Sequence, residues 1–130
     1  QNLTEDPGSW RTGTIDLICR RLPGKPQVCS TFTWAMGLDL SRHLVSRFLG
    51  LNPRHIDDAF AWDAIREVQN VAVGRYLDVS GKSSTIDLGI PGPMTHLAMP
   101  RDLLMSEAWR WLELEDKGNL IWRLDPQRVG

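Results

Sequence analysis

The segment LVSRFLGLNPRHI, residues 44–56, contains the strongest local signals for secondary structure in the sequence. Gly50 suits the left-handed backbone position that ends a helix. Asn52 suits the capping position of a following helix, and Pro53 suits its first helical residue. The segment therefore predicts two helices joined by a tight corner, an arrangement that resembles a helix-turn-helix.

Apolar residues on both sides of this corner recur at helical spacing. The first helix is predicted over residues 38–51, with Asp39 or Ser41 as its cap. The second helix is predicted over residues 53–73, followed by Gly74 as a stop. Its expected buried face consists of Ile56, Phe60, Ala64, Val68 and Val71.

Two β-rich runs precede the helices, at residues 14–20 and 28–34. The turn-forming cluster at residues 22–26 separates them, so we expect an N-terminal β-hairpin. A hairpin folded about the centre of this cluster places Cys19 opposite Cys29, close enough for a disulfide. Two unlinked thiols on one face of the sheet are the alternative, which an intracellular location would favour.

The remaining sequence predicts a second hairpin, a third helix and a last strand. The second hairpin is expected to join residues 75–79 to residues 85–90, and the last strand is expected at residues 120–124. The third helix is expected to begin at Pro100. Its expected inner face consists of Leu103, Leu104, Ala108, Trp111 and Leu112.

Length and composition fit one globular domain. The chain has 130 residues, of which 42% are hydrophobic and 24% are charged, an ordinary globular usage. We therefore expect a single compact α+β domain at residues 13–130, preceded by an N-terminal extension at residues 1–12. The formal net charge of -1 excludes a strong overall basic field. The sequence has no apolar run long enough to span a bilayer.

The sequence leaves the compartment open. The first residue is Gln1 rather than Met, so a signal peptide before it would place the protein outside the cell, whereas a gene regulator would be cytoplasmic. Asn2 begins an Asn-Leu-Thr triplet that matches the acceptor pattern for N-glycosylation. That modification would apply only to a secreted or surface protein.

The helix-turn-helix interpretation predicts a surface that recognises nucleic acid. The start of the second helix would face the major groove, where Asn52, Arg54 and His55 would contact base edges. Arg42 and Arg47 on the first helix would contact backbone phosphates. These five residues form the predicted nucleic-acid surface.

Two features of the same segment argue against nucleic-acid binding. Asp57 and Asp58 place two negative charges where a polyanion would approach, and the second helix is longer than most recognition helices. The alternative is a helical hairpin that only supports the core. If the motif is winged, Lys82 in the second hairpin would add a phosphate contact.

The tryptophans offer a different predicted surface. Trp62 and Trp109 lie off the apolar stripes of their predicted helices, and exposed tryptophan is typical of interfaces. The proline-bounded loop nearby contains Met94 and Met99, which adapt readily to a partner. Together these residues predict a surface for a protein partner or a second copy of the chain. The alternative is that both rings belong to the core.

The sequence contains no recognisable catalytic or metal-binding motif. The three histidines, His43, His55 and His96, do not have the spacing of metal ligands. Neither cysteine has a local context typical of a nucleophile. The predicted function is therefore non-catalytic binding without a metal or cofactor. Nucleic acid is the first expected partner, and the alternative is an extracellular or viral protein-interaction module.

Overall fold

A long antiparallel hairpin begins the fold, in a computed structural model that describes residues 9–20, 26–97, 109–114 and 117–126. Strand β1, Arg11–Cys19, alternates buried and exposed residues, as a strand with one face on a core does. Strand β2, Gln27–Met36, pairs with it antiparallel. The predicted N-terminal hairpin is confirmed.

The register of this hairpin differs from the predicted one. Cys19 lies opposite Gln27, two residues from the predicted partner Cys29. The whole hairpin pairs one residue away from the predicted register, and a further shift of one residue occurs between Leu17 and Ile18. The Cys29 thiol donates a hydrogen bond to the carbonyl of Leu17 at 3.3 Å. The structure contains no disulfide between the two cysteines.

Four shorter strands complete the sheet within the described residues. They are β3 at Ile86–Leu88, β4 at Thr95–His96, β5 at Arg110–Glu113 and β6 at Asn119–Pro126. The order of strands across the sheet is β3-β1-β2-β6-β5, and β4 also pairs with β1. Each pairing is antiparallel. The molecule is thus a single compact α+β domain, as predicted, and β6 confirms the last strand.

Two other predicted elements are wrong within the described residues. Residues 75–79 continue a helix, so they do not form a hairpin with residues 85–90, and β3 pairs with β1 instead. Trp111 and Leu112 lie in β5 rather than on the inner face of a helix. The expected start of that helix at Pro100 lies outside the described residues. The predicted extension at residues 1–12 is also mostly outside them, and β1 begins within it at Arg11.

Helix α1, Leu38–Leu49, ends where the sequence predicts. Gly50 has a left-handed φ of 69°, and its N–H donates to the carbonyl of Ser46, which satisfies the helix end. The start of the helix differs from the prediction. The capping residue is Gly37 rather than Asp39 or Ser41, and no side chain caps the helix by a hydrogen bond.

Helix α2, Asp58–Val79, starts and ends later than predicted. One 3-10 turn at Pro53–His55 precedes it, and the Asn52 side chain caps that turn by accepting a backbone N–H. The Asp57 carboxylate then caps α2 by accepting a backbone N–H at 2.8 Å. The helix continues through Gly74 for more than one further turn.

The buried face of α2 is also rotated from the predicted one. Phe60 and Val71 are 40% and 50% exposed, although both were expected in the core. Ile56 is buried but precedes the helix. The predicted apolar stripe counted helical spacing from Ile56 and was therefore placed on the wrong side of α2. The observed buried residues are Ala61, Trp62, Ile65, Gln69, Val73 and Leu77.

The two helices cover the face of the sheet that carries Ile15, Leu17 and Trp34. A fully buried side chain, Gln69, links α2 to this face by donating from Nε2 to the carbonyl of Gly13 at 3.2 Å. The packing leaves no room for a side chain at residue 13, because a Cβ on Gly13 would overlap the sulfur of Met94. The opposite face has a smaller core of its own around Trp10, Ala35, Trp109 and Ile121.

Candidate functional site

The corner between the helices carries the residues predicted to contact nucleic acid. Arg47, Arg54 and His55 are exposed there. The corner is nevertheless not the tight turn of a helix-turn-helix, because a 3-10 turn and a second cap separate α1 from α2. Arg54 and His55 lie in this connection rather than on the first turn of a recognition helix.

Arg42 and Asn52 are held within the fold rather than presented to a ligand. Arg42 donates from Nε to the carbonyl of Ile56 at 3.0 Å, and its guanidinium pairs with the carboxylates of Asp39 and Asp58. The Asn52 side chain is occupied as a cap. These contacts stabilise the corner, so the predicted surface retains three of its five residues near α1.

Lys82 lies too far away to join them. It follows the C-terminal end of α2, whereas Arg54 precedes the N-terminal end. The 22 residues of α2 span about 33 Å. Lys82 is exposed, but it stands in the turn after a helix and not in the wing of a hairpin.

The exposure predicted for the two tryptophans is wrong. Trp62 is 8% exposed, Trp109 is 4% exposed and Met94 is 7% exposed, so all three belong to the core. The guanidinium of Arg123 also covers the Trp109 ring, with its carbon 4.4 Å from the ring centroid. Met99 and the glycosylation candidate Asn2 lie outside the described residues.

A groove along the outer side of α2 is a stronger candidate that the sequence prediction did not identify. Glu67, Asn70, Gly74 and Asp78 recur every three or four residues, so they share one side of the helix. These four residues form one wall of the groove. We call it the α2 groove.

The second wall is the chain from Ile86 to Pro91, which lies beside the helix. The pairing of β3 with β1 anchors the start of this wall, and three further hydrogen bonds hold its end and the residue after it. The N–H of Gly89 donates to the carbonyl of Asp16 at 2.8 Å, and the N–H of Gly92 donates to the carbonyl of Thr14 at 3.0 Å. Arg66 of α2 donates from Nη2 to the carbonyl of Pro91 at 2.9 Å.

Each wall of the groove contains a glycine that lies close to a neighbouring segment. A Cβ on Gly74 would lie 3.4 Å from a methyl carbon of Leu88, at the limit of ordinary contact. A Cβ on Gly89 would lie 3.3 Å from the carbonyl oxygen of Asp16, a backbone atom that cannot move aside easily. The groove is therefore shaped by the backbone as well as by its side chains.

The α2 groove has a volume of about 590 Å³ and an acidic lining. Asp87 pairs with Arg20 at 3.0 Å across exposed surface. Glu67 and Asp78 make no ion pair with any described residue, and the lining includes neither lysine nor arginine. Its floor includes buried Leu77, and its rim includes Ile90, which is 89% exposed.

This lining has a definite chemical preference. Carboxylates accept hydrogen bonds from ammonium and guanidinium groups, and the Asn70 amide can both donate and accept. The apolar floor and rim suit aliphatic side chains. The described residues contain no group of three or more side chains arranged to hold a metal ion.

No protein-family model, curated protein or solved structure matches the chain. No helix within the described residues is both long and apolar enough to cross a membrane.

Proposed function

We propose that this protein is a non-catalytic binding domain that holds a basic, extended segment of a partner protein in the α2 groove. The observation that carries the proposal is the acidic wall of Glu67 and Asp78, which pairs with no cation among the described residues. The two arginines that contact the second wall, Arg20 and Arg66, are bound to Asp87 and to the carbonyl of Pro91. An anionic wall favours a cationic partner and disfavours the phosphates of nucleic acid.

The length of the groove supports a peptide rather than a compact ligand. From Glu67 to Asp78 the helix rises about 17 Å, which matches about five residues of extended chain. Exposed Ile90 at the rim and buried Leu77 on the floor would contact the apolar side chains between the basic ones. The expected partner segment therefore alternates lysine or arginine with aliphatic residues.

The experiment is an NMR titration of the labelled protein with a short peptide of alternating lysine and leucine. We expect saturable shifts of the amides of Glu67, Asn70 and Asp78, and weaker affinity as salt rises. Changing Glu67→Gln together with Asp78→Asn should weaken binding at least about tenfold, because two charge-assisted contacts are lost. The matched control is Glu113→Gln on β5, which removes an exposed carboxylate outside the groove and should leave binding unchanged.

The outcome of this titration is decisive in both directions. A peptide of alternating glutamate and leucine should produce no saturable shift. The proposal is wrong if both peptides bind equally, if neither binds, or if the paired groove substitutions leave the affinity for the basic peptide unchanged.

Nucleic-acid recognition is a second proposal, favoured by one observation. Arg47, Arg54 and His55 stand exposed at the corner and make no ion pair with a described residue. A short DNA duplex added to the same labelled protein should then shift the amides of residues 47–55, and Arg54→Ala should weaken binding. The absence of shifts at low salt would eliminate this function and leave the groove proposal intact.

A further inference from the structure

A second depression lies at the other end of α2, away from the α2 groove. It has a volume of about 500 Å³ and is lined by side chains from the starts of β1, α1 and α2 and from β4. The lining residues are Ser9, Arg11, Leu38, Asp58, Ala59, Trp62 and His96. It shares no residue with the groove.

Arg11 is the feature that distinguishes this depression. Its guanidinium lies over the Trp62 indole, with the guanidinium carbon 5.1 Å from the ring centroid. The other half-buried arginines of the described residues, Arg42, Arg66 and Arg123, each contact a carboxylate. Arg11 contacts no acceptor in the described part of the chain, although it lines a cavity.

Two neighbours of Arg11 also favour an anionic ligand: His96 offers a second nitrogen donor, and the nearby carboxylate of Asp58 is paired with another arginine. His96 lies directly opposite Arg11 in the register of β1 and β4, and it lines the same depression. The carboxylate in the lining, Asp58, is already bound by Arg42. The contact with Trp62 restrains the Arg11 side chain in the depression before any ligand arrives.

We propose that this depression binds a small organic molecule that carries an oxyanion, either a carboxylate or a phosphate, on an apolar body. The oxyanion would accept hydrogen bonds from the guanidinium of Arg11 and from the ring of His96. The apolar body would lie against Leu38 and Trp62. Asp58 limits the net negative charge that the ligand can carry, because it remains beside the site.

The test is a titration of labelled protein with benzoate, phenyl phosphate and inorganic phosphate, followed through the Trp62 indole N–H. Benzylamine, which has the same ring and the opposite charge, is the matched control ligand. We expect benzoate or phenyl phosphate to shift the Trp62 signal saturably and benzylamine to leave it unchanged. The comparison of the two aromatic anions identifies the oxyanion, and inorganic phosphate measures the contribution of the apolar body.

Variants distinguish this site from weak general binding. Arg11→Gln should reduce the affinity for the tighter anion at least about tenfold, whereas Arg11→Lys should retain part of it, because the charge remains and the planar fork is lost. Arg110→Gln, an exposed residue of β5 that does not line the depression, is the matched control and should have no effect. The proposal is overturned if no anion saturates, if benzylamine binds equally, or if Arg11→Gln leaves the affinity unchanged in a folded protein.

Discussion

Replacing Ile65 by alanine is expected to lower the free energy of unfolding by about 2–5 kcal/mol, the usual cost of removing a large buried aliphatic side chain. Ile65 is fully buried at the centre of the face that α2 presents to the sheet. The surrounding core includes Trp34 and Leu40, whose side chains cannot move far to fill the cavity. Chemical denaturation monitored by circular dichroism measures this loss.

The matched control is Val71→Ala on the same helix. Val71 is 50% exposed, so its substitution is expected to change the free energy of unfolding by less than about 0.5 kcal/mol. The pair tests the rotation of α2 directly, because the sequence pattern assigned Val71 to the core. A large loss for Val71→Ala together with a small loss for Ile65→Ala would show that the helix faces the sheet differently.

Introducing a single methyl group at Gly13 is expected to destabilise the protein by about 1–3 kcal/mol through overpacking. The new Cβ of Gly13→Ala would overlap the sulfur of Met94, and the Gln69 amide lies 3.5 Å from the same point. Met94 is itself part of the core, so it has little room to withdraw. The measurement is again the free energy of unfolding.

A double-mutant cycle identifies the cause of this loss. Met94→Ala alone is expected to cost about 2–5 kcal/mol, because it leaves a cavity. In the double variant, the methyl group at residue 13 occupies part of that cavity. The double variant should therefore lose less free energy of unfolding than the sum of the losses of the two single variants. We expect a coupling of about 0.5–3 kcal/mol. Strictly additive losses would mean that Gly13→Ala acts on the backbone of β1 instead.

Local chemistry explains which parts of the fold were predictable. Gly50 ends α1 because it alone tolerates the left-handed backbone there without a side-chain clash, and that requirement is visible in the sequence. The alternation of Ile15 and Leu17 with polar neighbours likewise indicates β1. Such features depend on residues a few positions apart.

The errors arose where distant contacts override local preference. Gly74 was expected to stop α2, but it lies inside the helix, where the neighbouring Val73 and Leu77 are buried against Ile15 and Leu17 of β1. Trp111 fits a helical stripe in the sequence, yet it lies in β5 where it packs near Trp10 on the second face of the sheet. Neither partner is close in sequence, so no local pattern could have revealed them.

The candidate site shows the same division. Glu67, Asn70, Gly74 and Asp78 repeat at helical spacing, and that polar side of α2 was available in the sequence as a signal. The opposing wall was not, because β3 and Gly89 are held beside α2 by their hydrogen bonds to β1, which is distant in sequence. One wall of the groove was therefore predictable, and the groove itself was not.

Strand β6 is synthesised after β1 and β2, although it lies inside the sheet between β2 and β5. Until residues 119–126 have been translated, the nascent chain leaves one edge of β2 without its partner. Unpaired backbone groups along such an edge invite pairing with other polypeptides. The speed of translation therefore sets how long the growing protein is exposed to aggregation.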